Sequence, residues 1–522
     1  MSTSTPKKSR KALIIIGIII AVIVLLAFMV DGIVSNIAEK QFRKQMDKAL
    51  PGHYELGSLR VCLSAGTLTL TDFAINTGDS MVLDKTKPGV ALRVGKLSVC
   101  DLRIFAFARK RELPDIRLKI ENLDFAQVQD KDNPDLHLIL AALEAEAHDL
   151  GYNFQDSTVL YNDSIYSISL SGLHLLTPDS LTAIEVAELR TANAGPLAIS
   201  GLRVYNTVDR RELALRKDST PNTWADMMLG DILTSPVNII HMALSQQVAI
   251  DSVHVHAPSG LVFRDSRFPP KQPYPMPQEV IQAIPVPIAI GNVDVRMDQL
   301  NIEIATTDIN SGKLALADMW VEMKDVSNKP NAAIRCLIHE ARIGKSRSSG
   351  SFVMHLNKNC TFETQVLVHN FQLSNMDSLL CPLIGITAAA EIEKLSAKIQ
   401  GDKVSSSGEF CMCYHDFDVV VHKDVDVPYQ FITNNAAFLE SVANNLLPKA
   451  NPNKLNTEPR AYKVEWKRDE MMPFPFYMFG PVIDGAVKTF LPGLFVHDRI
   501  RDGKRPISVT ARKQAKNTNK SK

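Results

Sequence analysis

Between Tyr54 and Leu373 one eight-residue pattern recurs: apolar, any, apolar, any, any, apolar, any, apolar. Copies begin at Tyr54, Leu68, Leu92, Leu118, Ile168, Leu197, Val248, Ile288, Leu314 and Val366. Alternation at period 2 is the signature of a strand with one apolar face. The central interval of three slips that alternation by one residue, and an uncompensated slip would carry every later side chain to the opposite face. Each copy therefore needs a local device at its centre. A β-bulge returns the apolar set to one face after a bend, whereas a two-residue hairpin loop makes the two halves face each other. The central pairs include Gly57-Ser58, Thr71-Asp72, Glu121-Asn122, Ser171-Gly172 and Ala317-Asp318. Glu-Asn and Ala-Asp suit a tight primed turn poorly, so bulges are expected in most copies and hairpins in a few. Both devices lead to the same fold class, mainly β: an elongated, twisted, groove-like antiparallel β-sheet with one apolar and one polar face and a few packing helices. The rival is a closed sandwich, in which the apolar face packs on a second sheet. The irregular spacing of the copies argues against a solenoid of fixed period.

Ahead of the repeats, Ala12 to Val30 is an uncharged, proline-free apolar run preceded by Lys7, Lys8, Arg10 and Lys11. A helix of this length reaches roughly 28 Å, close to the hydrocarbon thickness of a bilayer. The run is longer than a signal-peptide core and leaves through Phe28, Met29 and Val30 without a small-x-small site, so it reads as a retained anchor. Its basic flank predicts a cytosolic segment over 1–11, a transmembrane helix over 12–30 and the bulk of the chain across the membrane. Over 31–50, Ile33, Val34, Ile37, Ala38, Phe42, Met46 and Leu50 recur at helical spacing. That is an amphipathic juxtamembrane helix, expected to pack under the following domain rather than lie on the leaflet.

The repeats divide the rest into a first β-rich region over 51–222 and a second over 288–425. Between them, 223–287 holds a stretch from Thr223 to Gln247 with Trp224, Met227, Met228, Ile232, Leu233, Ile239, Ile240 and Leu244 at mixed helical spacing and Pro236 interrupting, read as a broken helix or a helical pair, and then a proline-dense loop from Pro269 to Pro287. Residues 426–494 form a helical and apolar C-terminal segment. Within it, Met471 to Leu494 carries four prolines, three glycines, Asp484 and Lys488, which suits an interfacial or core-capping role better than a second span. A basic tail is expected over 495–522; nine Lys or Arg fall between Arg499 and Lys522.

Chemistry-bearing motifs are sparse. Gly344-Lys345-Ser346 ends like a phosphate loop, but His339 stands where the first glycine belongs; His339-Glu340 lacks a second histidine at zinc-protease spacing, and no Gly-x-Ser-x-Gly elbow occurs. Cys411, Cys413 and His415 would share one face of a strand at about 6.8 Å intervals, too far apart for one ion, so they read as an ordinary strand rather than a metal site. His254 and His256 alternate with valines and read as outward-facing. No catalytic residue, metal ligand or cofactor is assigned. Near balance, Lys plus Arg 58 against Asp plus Glu 57, gives no global field toward nucleic acid. Seven dispersed cysteines argue against a dense disulfide framework.

The N-terminal anchor, the run LPGHYELGSLRVCLSAGTLTLTDFAI after it, and the later copies GKLALADMWVEM from Gly312 and GEFCMCYHDFDVVV from Gly408 together resemble the AsmA-like family of inner-membrane-anchored periplasmic proteins in Gram-negative bacteria. The resemblance covers roughly Lys11 to Lys423. It implies a single-pass inner-membrane protein, its bulk periplasmic, whose elongated β structure lines a groove for lipid and serves phospholipid transport or outer-membrane homeostasis. The expected partners are membrane phospholipids and other envelope proteins, with no nucleic acid. Groove-lining candidates are the two most similar copies, Leu68, Leu70, Phe73 and Ile75, and Leu314, Leu316, Met319 and Val321. The alternative is a membrane-anchored envelope scaffold with a closed β core and no lipid cargo.

Overall fold

The computed structural model describes residues 35–500, apart from 51–52, 63–65, 78–88, 102–111, 129–135, 154–157, 161–164, 178–179, 216–222, 269, 271, 308–309, 428–435, 455–456 and 493–495. The expected cytosolic segment, the expected transmembrane helix and residues 501–522 lie outside the described residues. Among the described residues no helix is long and apolar enough to cross a membrane. The chain is mainly β and divides into two compact units, one comprising residues up to Thr207 with Asp231–Ser245, the other Val208–Gly230 and the residues from Gln246 onward.

The first unit opens with helix α1 (Ser35–Ala49) and continues through β1 (Tyr54–Cys62), β2 (Thr67–Asn76), β3 (Gly89–Cys100), β4 (Glu112–Val128), β5 (Leu136–Asn153), β6 (Thr158–Leu160), β7 (Tyr166–Leu176), β8 (Thr182–Ala192) and β9 (Pro196–Asn206). Successive strands pair antiparallel, with β7 taking up β5 beside the short β6. Each repeat copy lies within one strand, except that the last runs one residue past its strand, so the hairpins expected for a few copies are not formed. In the first unit these are not bulges of the two-against-one kind either, whereas in the second the copy from Leu314 shifts register between Ala317 and Val321 against Ala333–Ile343, as a bulge does. Leu56 faces Phe73 and Ser58 faces Thr71 across the pair, so Gly57 and Asp72 stand opposite each other and the register runs on unbroken. The physical reason is that neighbouring strands carry the same extra residue at the same level.

Strands alternate in how they make this kink. In β2, β4, β7 and β9 the fifth residue of the pattern, Asp72, Asn122, Gly172 or Gly201, has a positive φ between 48° and 62°. Asp, Asn and Gly are the residues that enter the left-handed region most readily. In β1 and β3 the fourth residue is Gly57 or Gly95; in β5 and β8 it is Ala141 or Ala187. Smallness is required there, because a Cβ on Gly172 would come 2.7 Å from the Ala141 Cβ and one on Gly201 2.6 Å from the Ala187 Cβ.

α1 closes the apolar face over β1 to β3. Ala38, Phe42 and Met46 cluster with Leu59, Leu68, Leu70 and Phe73, the Phe42 and Phe73 rings meeting edge to face at 5.8 Å. Polar bonds fix the helix as well: Arg43 donates to the Leu56 carbonyl at 2.8 Å, and its guanidinium beside Glu39 holds that carboxyl below its usual range.

Between β9 and the second unit's sheet lie α2 (Arg210–Leu215), β10 (Thr223–Pro236) and α3 (Ile239–Ser245). The broken helix or helical pair expected from Thr223 to Gln247 is thus a strand up to Pro236, and only its end, Ile239–Ser245, is helical. Gly230, at φ 66°, explains the misreading: alternation with one slip produces intervals of two and three, which mimic helical spacing. Val237, next to Pro236, donates to the Gly195 carbonyl at 3.0 Å.

The second unit contains β11 (Val248–His256), β12 (Ser259–Asp265), α4 (Pro277–Gln282), β13 (Ile288–Ala305), β14 (Ser311–Ser327), β15 (Ala333–Ile343), β16 (Ser346–His355), β17 (Phe362–Gln372), α5 (Asp377–Ile384), β18 (Ile386–Gly401), β19 (Ser405–Val421), α6 (Ala436–Leu446), β20 (Ala461–Lys467), α7 (Phe474–Phe490) and β21 (Arg499–Ile500). The expected antiparallel order fails at one place. β11 and β12 lie end to end along β13, and both run parallel to it. A parallel pair needs a long return connection, and the proline-dense loop supplies it. From Asp265 the chain must travel back along β13, whose 18 residues span roughly 56 Å in extended form. The link over 266–287, stiffened by its prolines, makes that return. Gln278 and Gln282 of α4 tie the link to the β16–β17 turn through the carbonyls of Cys360 and Leu356, at 3.0 and 2.8 Å.

From β13 to β20 neighbouring strands pair antiparallel. Helices α5, α6 and α7 cover the C-terminal strands over a core of Phe362, Phe371, Phe410, Met412, Tyr414 and Tyr477. The segment from Met471 therefore caps a core. The stretch read as all helical and apolar also contains β20, and the basic tail begins later than expected, because Arg499 and Ile500 pair with β20 as β21.

Candidate functional site

The candidate site is the apolar face of each sheet beyond its helical cover. In the first unit, Leu118, Ile120, Leu123 and Phe125 of β4 face Ala145, Leu143, Leu140 and Leu138 of β5, which in turn face Ile168, Leu170, Leu173 and Leu175 of β7. Most of these side chains are partly exposed. In the second unit Leu314, Leu316, Met319 and Val321 of β14 face Ile302, Leu300, Met297 and Val295 of β13, and all eight are partly exposed.

The opposite face is polar and satisfied by cross-strand pairs. Lys96 meets Glu121 at 2.8 Å, Lys119 meets Glu144 at 2.8 Å and His137 meets Asp124 at 2.9 Å. In the second unit, Trp320 donates to Asp294 at 2.8 Å, with the Arg296 guanidinium 3.8 Å above its indole and the His339 ring stacked at 3.9 Å. Such rim pairs contribute little to stability. Their effect is orientation, since a strand flipped by one residue would place these charges on the apolar side.

The two candidate quartets separate here. Leu68, Leu70, Phe73 and Ile75 are 0–2% exposed beneath α1. They are core, because the amphipathic stripe that ends in Met46 covers their level of the sheet, and this corrects their assignment to a groove. Leu314, Leu316, Met319 and Val321 remain partly exposed, although α5 lies on the start of β14, where a Cβ on Gly312 would fall 3.1 Å from the Leu379 side chain and 3.2 Å from that of Leu383. Sequence reading also missed two strands of that face, the copies Leu138-Leu140-Leu143-Ala145 and Ile184-Val186-Leu189-Thr191. Both keep the 2-3-2 spacing, but Ala145 and Thr191 hide the last position from a filter that expects a large apolar residue.

A recess of about 320 Å3 is lined by His355, Glu363, Gln400 and Asp402 among others, groups unsuited to hydrocarbon. Cys411, Cys413 and His415 project from β19 away from the core residues Phe410, Met412 and Tyr414. His415 is hydrogen-bonded to Asp416 at 2.8 Å, and among the described residues no group of three or more His, Cys, Asp and Glu could hold a metal. Cys100, Cys336, Cys360, Cys381, Cys411 and Cys413 are free thiols. The Cys411 thiol hydrogen-bonds Cys413 and pulls the latter's pKa down to about 7, whereas burial pushes Cys336, Cys360 and Cys381 up. Iodoacetamide at pH 7.5 is accordingly expected to modify Cys413 well before those three, as read by peptide mass spectrometry, and equal rates would refute the assignment.

No family model, curated protein or solved structure matches this chain.

Proposed function

We propose that the open apolar face binds acyl chains of membrane phospholipids. On this reading the protein is held at the bacterial inner membrane by Ala12 to Val30, stands in the periplasm, and contributes to phospholipid transport or outer-membrane homeostasis, as its resemblance to the AsmA-like family implies. Its chemistry is binding rather than catalysis. The supporting observation is the contrast between two copies of one repeat: under α1 the quartet Leu68, Leu70, Phe73 and Ile75 is 0–2% exposed, whereas Leu314, Leu316, Met319 and Val321, where α5 reaches only the start of β14, remain partly exposed, as do most of the facing side chains of β4, β5 and β7. A row of partly exposed apolar side chains on neighbouring strands supports a binding surface. Each acyl chain laid along it recovers about 25 cal/mol per Å2 of apolar area removed from water, while a headgroup stays at the rim among the charged pairs. A sheet is suited to this task because its backbone hydrogen bonds are already made within the ladder, so the face presents side chains alone.

The test is native mass spectrometry and lipid extraction of the full-length protein purified in a detergent that keeps bound lipid. Diacyl lipid is expected at more than one molecule per chain, with several headgroups represented, since the face offers no headgroup cage. Protein free of lipid, together with stable capture of envelope proteins, would replace this reading with the scaffold.

A further inference from the structure

Arg460, the residue ahead of β20, is 1% exposed, and Tyr462, two positions on and so on the same inner face of that strand, is 0% exposed. The backbone is fixed there, because the Arg460 amide donates to Asn451 Oδ1 at 3.0 Å. The guanidinium donates to the Thr489 carbonyl at the end of α7, over 3.4 Å. The carboxylates of this corner are engaged elsewhere: Asp484 and Asp498 meet Lys488 at 2.8 and 3.1 Å. Among the described residues Arg460 has no carboxylate partner, and neither its Nε–H nor the Tyr462 hydroxyl has a hydrogen-bond partner.

The unengaged groups are donors. A guanidinium only donates, so it cannot accept the Tyr462 proton, although it stands beside the phenols of Tyr462 and Tyr414. Tyr414 already donates to the Pro448 carbonyl at 2.9 Å. Neither phenol supplies negative charge, because burial pushes the pKa of Tyr414 up to about 12 and raises that of Tyr462 as well. Arg499, directly across the β20–β21 pair from Tyr462, adds a second guanidinium to the corner. The Thr489 carbonyl offers only a partial charge. A buried cation beside a second cation and donors without acceptors is strongly disfavoured unless an anion completes the set.

We infer that the corner beneath the end of α7 binds a small monovalent anion, chloride, held by the Arg460 guanidinium and the Tyr462 hydroxyl. The burial of both residues leaves no place for a lipid headgroup. A phosphate or sulfate would bring more charge and more acceptor atoms than these donors match. Bound there, chloride joins the start of β20 to the end of the helix that caps the second unit's core. The site is separate from the acyl-binding face and holds whether or not that face carries lipid.

The test compares the full-length protein in sodium chloride and sodium gluconate mixtures of one fixed ionic strength. Raising chloride from about 1 to about 100 mM is expected to lift the unfolding temperature of the second unit by about 4 °C, since a ligand bound only by the folded state stabilises it by mass action. Tyr462→Phe keeps the ring, removes one donor and should at least halve that rise. Arg460→Met removes the charge together with its need for a partner, so this variant should not respond to chloride and should match or exceed the wild type at the lowest chloride. Should Arg460→Met fail to fold, Tyr462→Phe decides together with wild-type crystals grown in sodium bromide, which should show an anomalous peak beside Arg460. Density there without an anomalous signal would mean that water satisfies the donors and would overturn the inference. So would a temperature rise equal in the wild type and Tyr462→Phe, or no rise in the wild type.

Discussion

Leu316→Asn is expected to leave thermal unfolding of the full-length protein nearly unchanged and to lower its bound lipid at least threefold, while Leu70→Asn does the reverse to the first unit. The two leucines occupy the same position of the same repeat. Leu70 is 0% exposed under Phe42 and Met46. Replacing it removes a buried side chain and leaves an amide with no partner, at a combined loss of about 3–5 kcal/mol. That is a large share of the stability of a single unit. Leu316 is partly exposed, so its substitution costs well under about 1 kcal/mol and places a polar group where acyl chain would lie. Calorimetry and lipid extraction on each variant read the two effects separately. Equal destabilisation by both would mean that the second quartet is also a dry core, and the lipid reading would fall.

The kink row makes a second strong prediction. Gly201→Val is expected to destabilise the first unit by about 3 kcal/mol, the sum of a β-branched residue held at φ 60° and a side chain forced against Ala187. The Cβ of any substituent would stand 2.6 Å from the Ala187 Cβ. Gly201→Ala should therefore be partly rescued by Ala187→Gly, which removes the opposing atom and leaves the backbone strain. Chemical denaturation of the single and double variants checks this. Strictly additive losses would show that the two residues do not meet, and with that the register derived for β8 and β9 would be wrong.

The same pair shows what local sequence can carry. Spacing of two, three and two named the strands, their apolar face and the level of the kink, because side-chain direction in a strand depends on φ and ψ alone. Asp72, Asn122, Gly172 and Gly201 were legible as special residues for the same reason. What they did was not legible: a bulge, a hairpin and a shared kink differ only in what the neighbouring strand does at that level. Ala141 and Ala187 carry no signal of their own, and their small size has meaning only once Gly172 and Gly201 are found opposite.

α1 illustrates the same limit at the site. Its stripe of Ala38, Phe42 and Met46 was readable as something to be buried, yet nothing in Leu68 to Ile75 distinguishes it from Leu314 to Val321, since the two quartets are equally apolar. Proximity in the chain placed α1 over one, while α5 reaches only the start of β14 and leaves the other partly exposed. At Thr223 to Pro236, a strand slipped once by Gly230 imitates a helix, and only its partner strands settle the matter. The return link from Asp265 to Ile288 was readable as stiff from its prolines, but its purpose, letting β11 and β12 run parallel to β13, exists only in the pairing. Sequence by itself determined a β-rich chain with one apolar and one polar face, because alternation is a local property of the backbone. Which parts of that face are covered was decided by tertiary structure, because cover depends on where a separate element comes to rest.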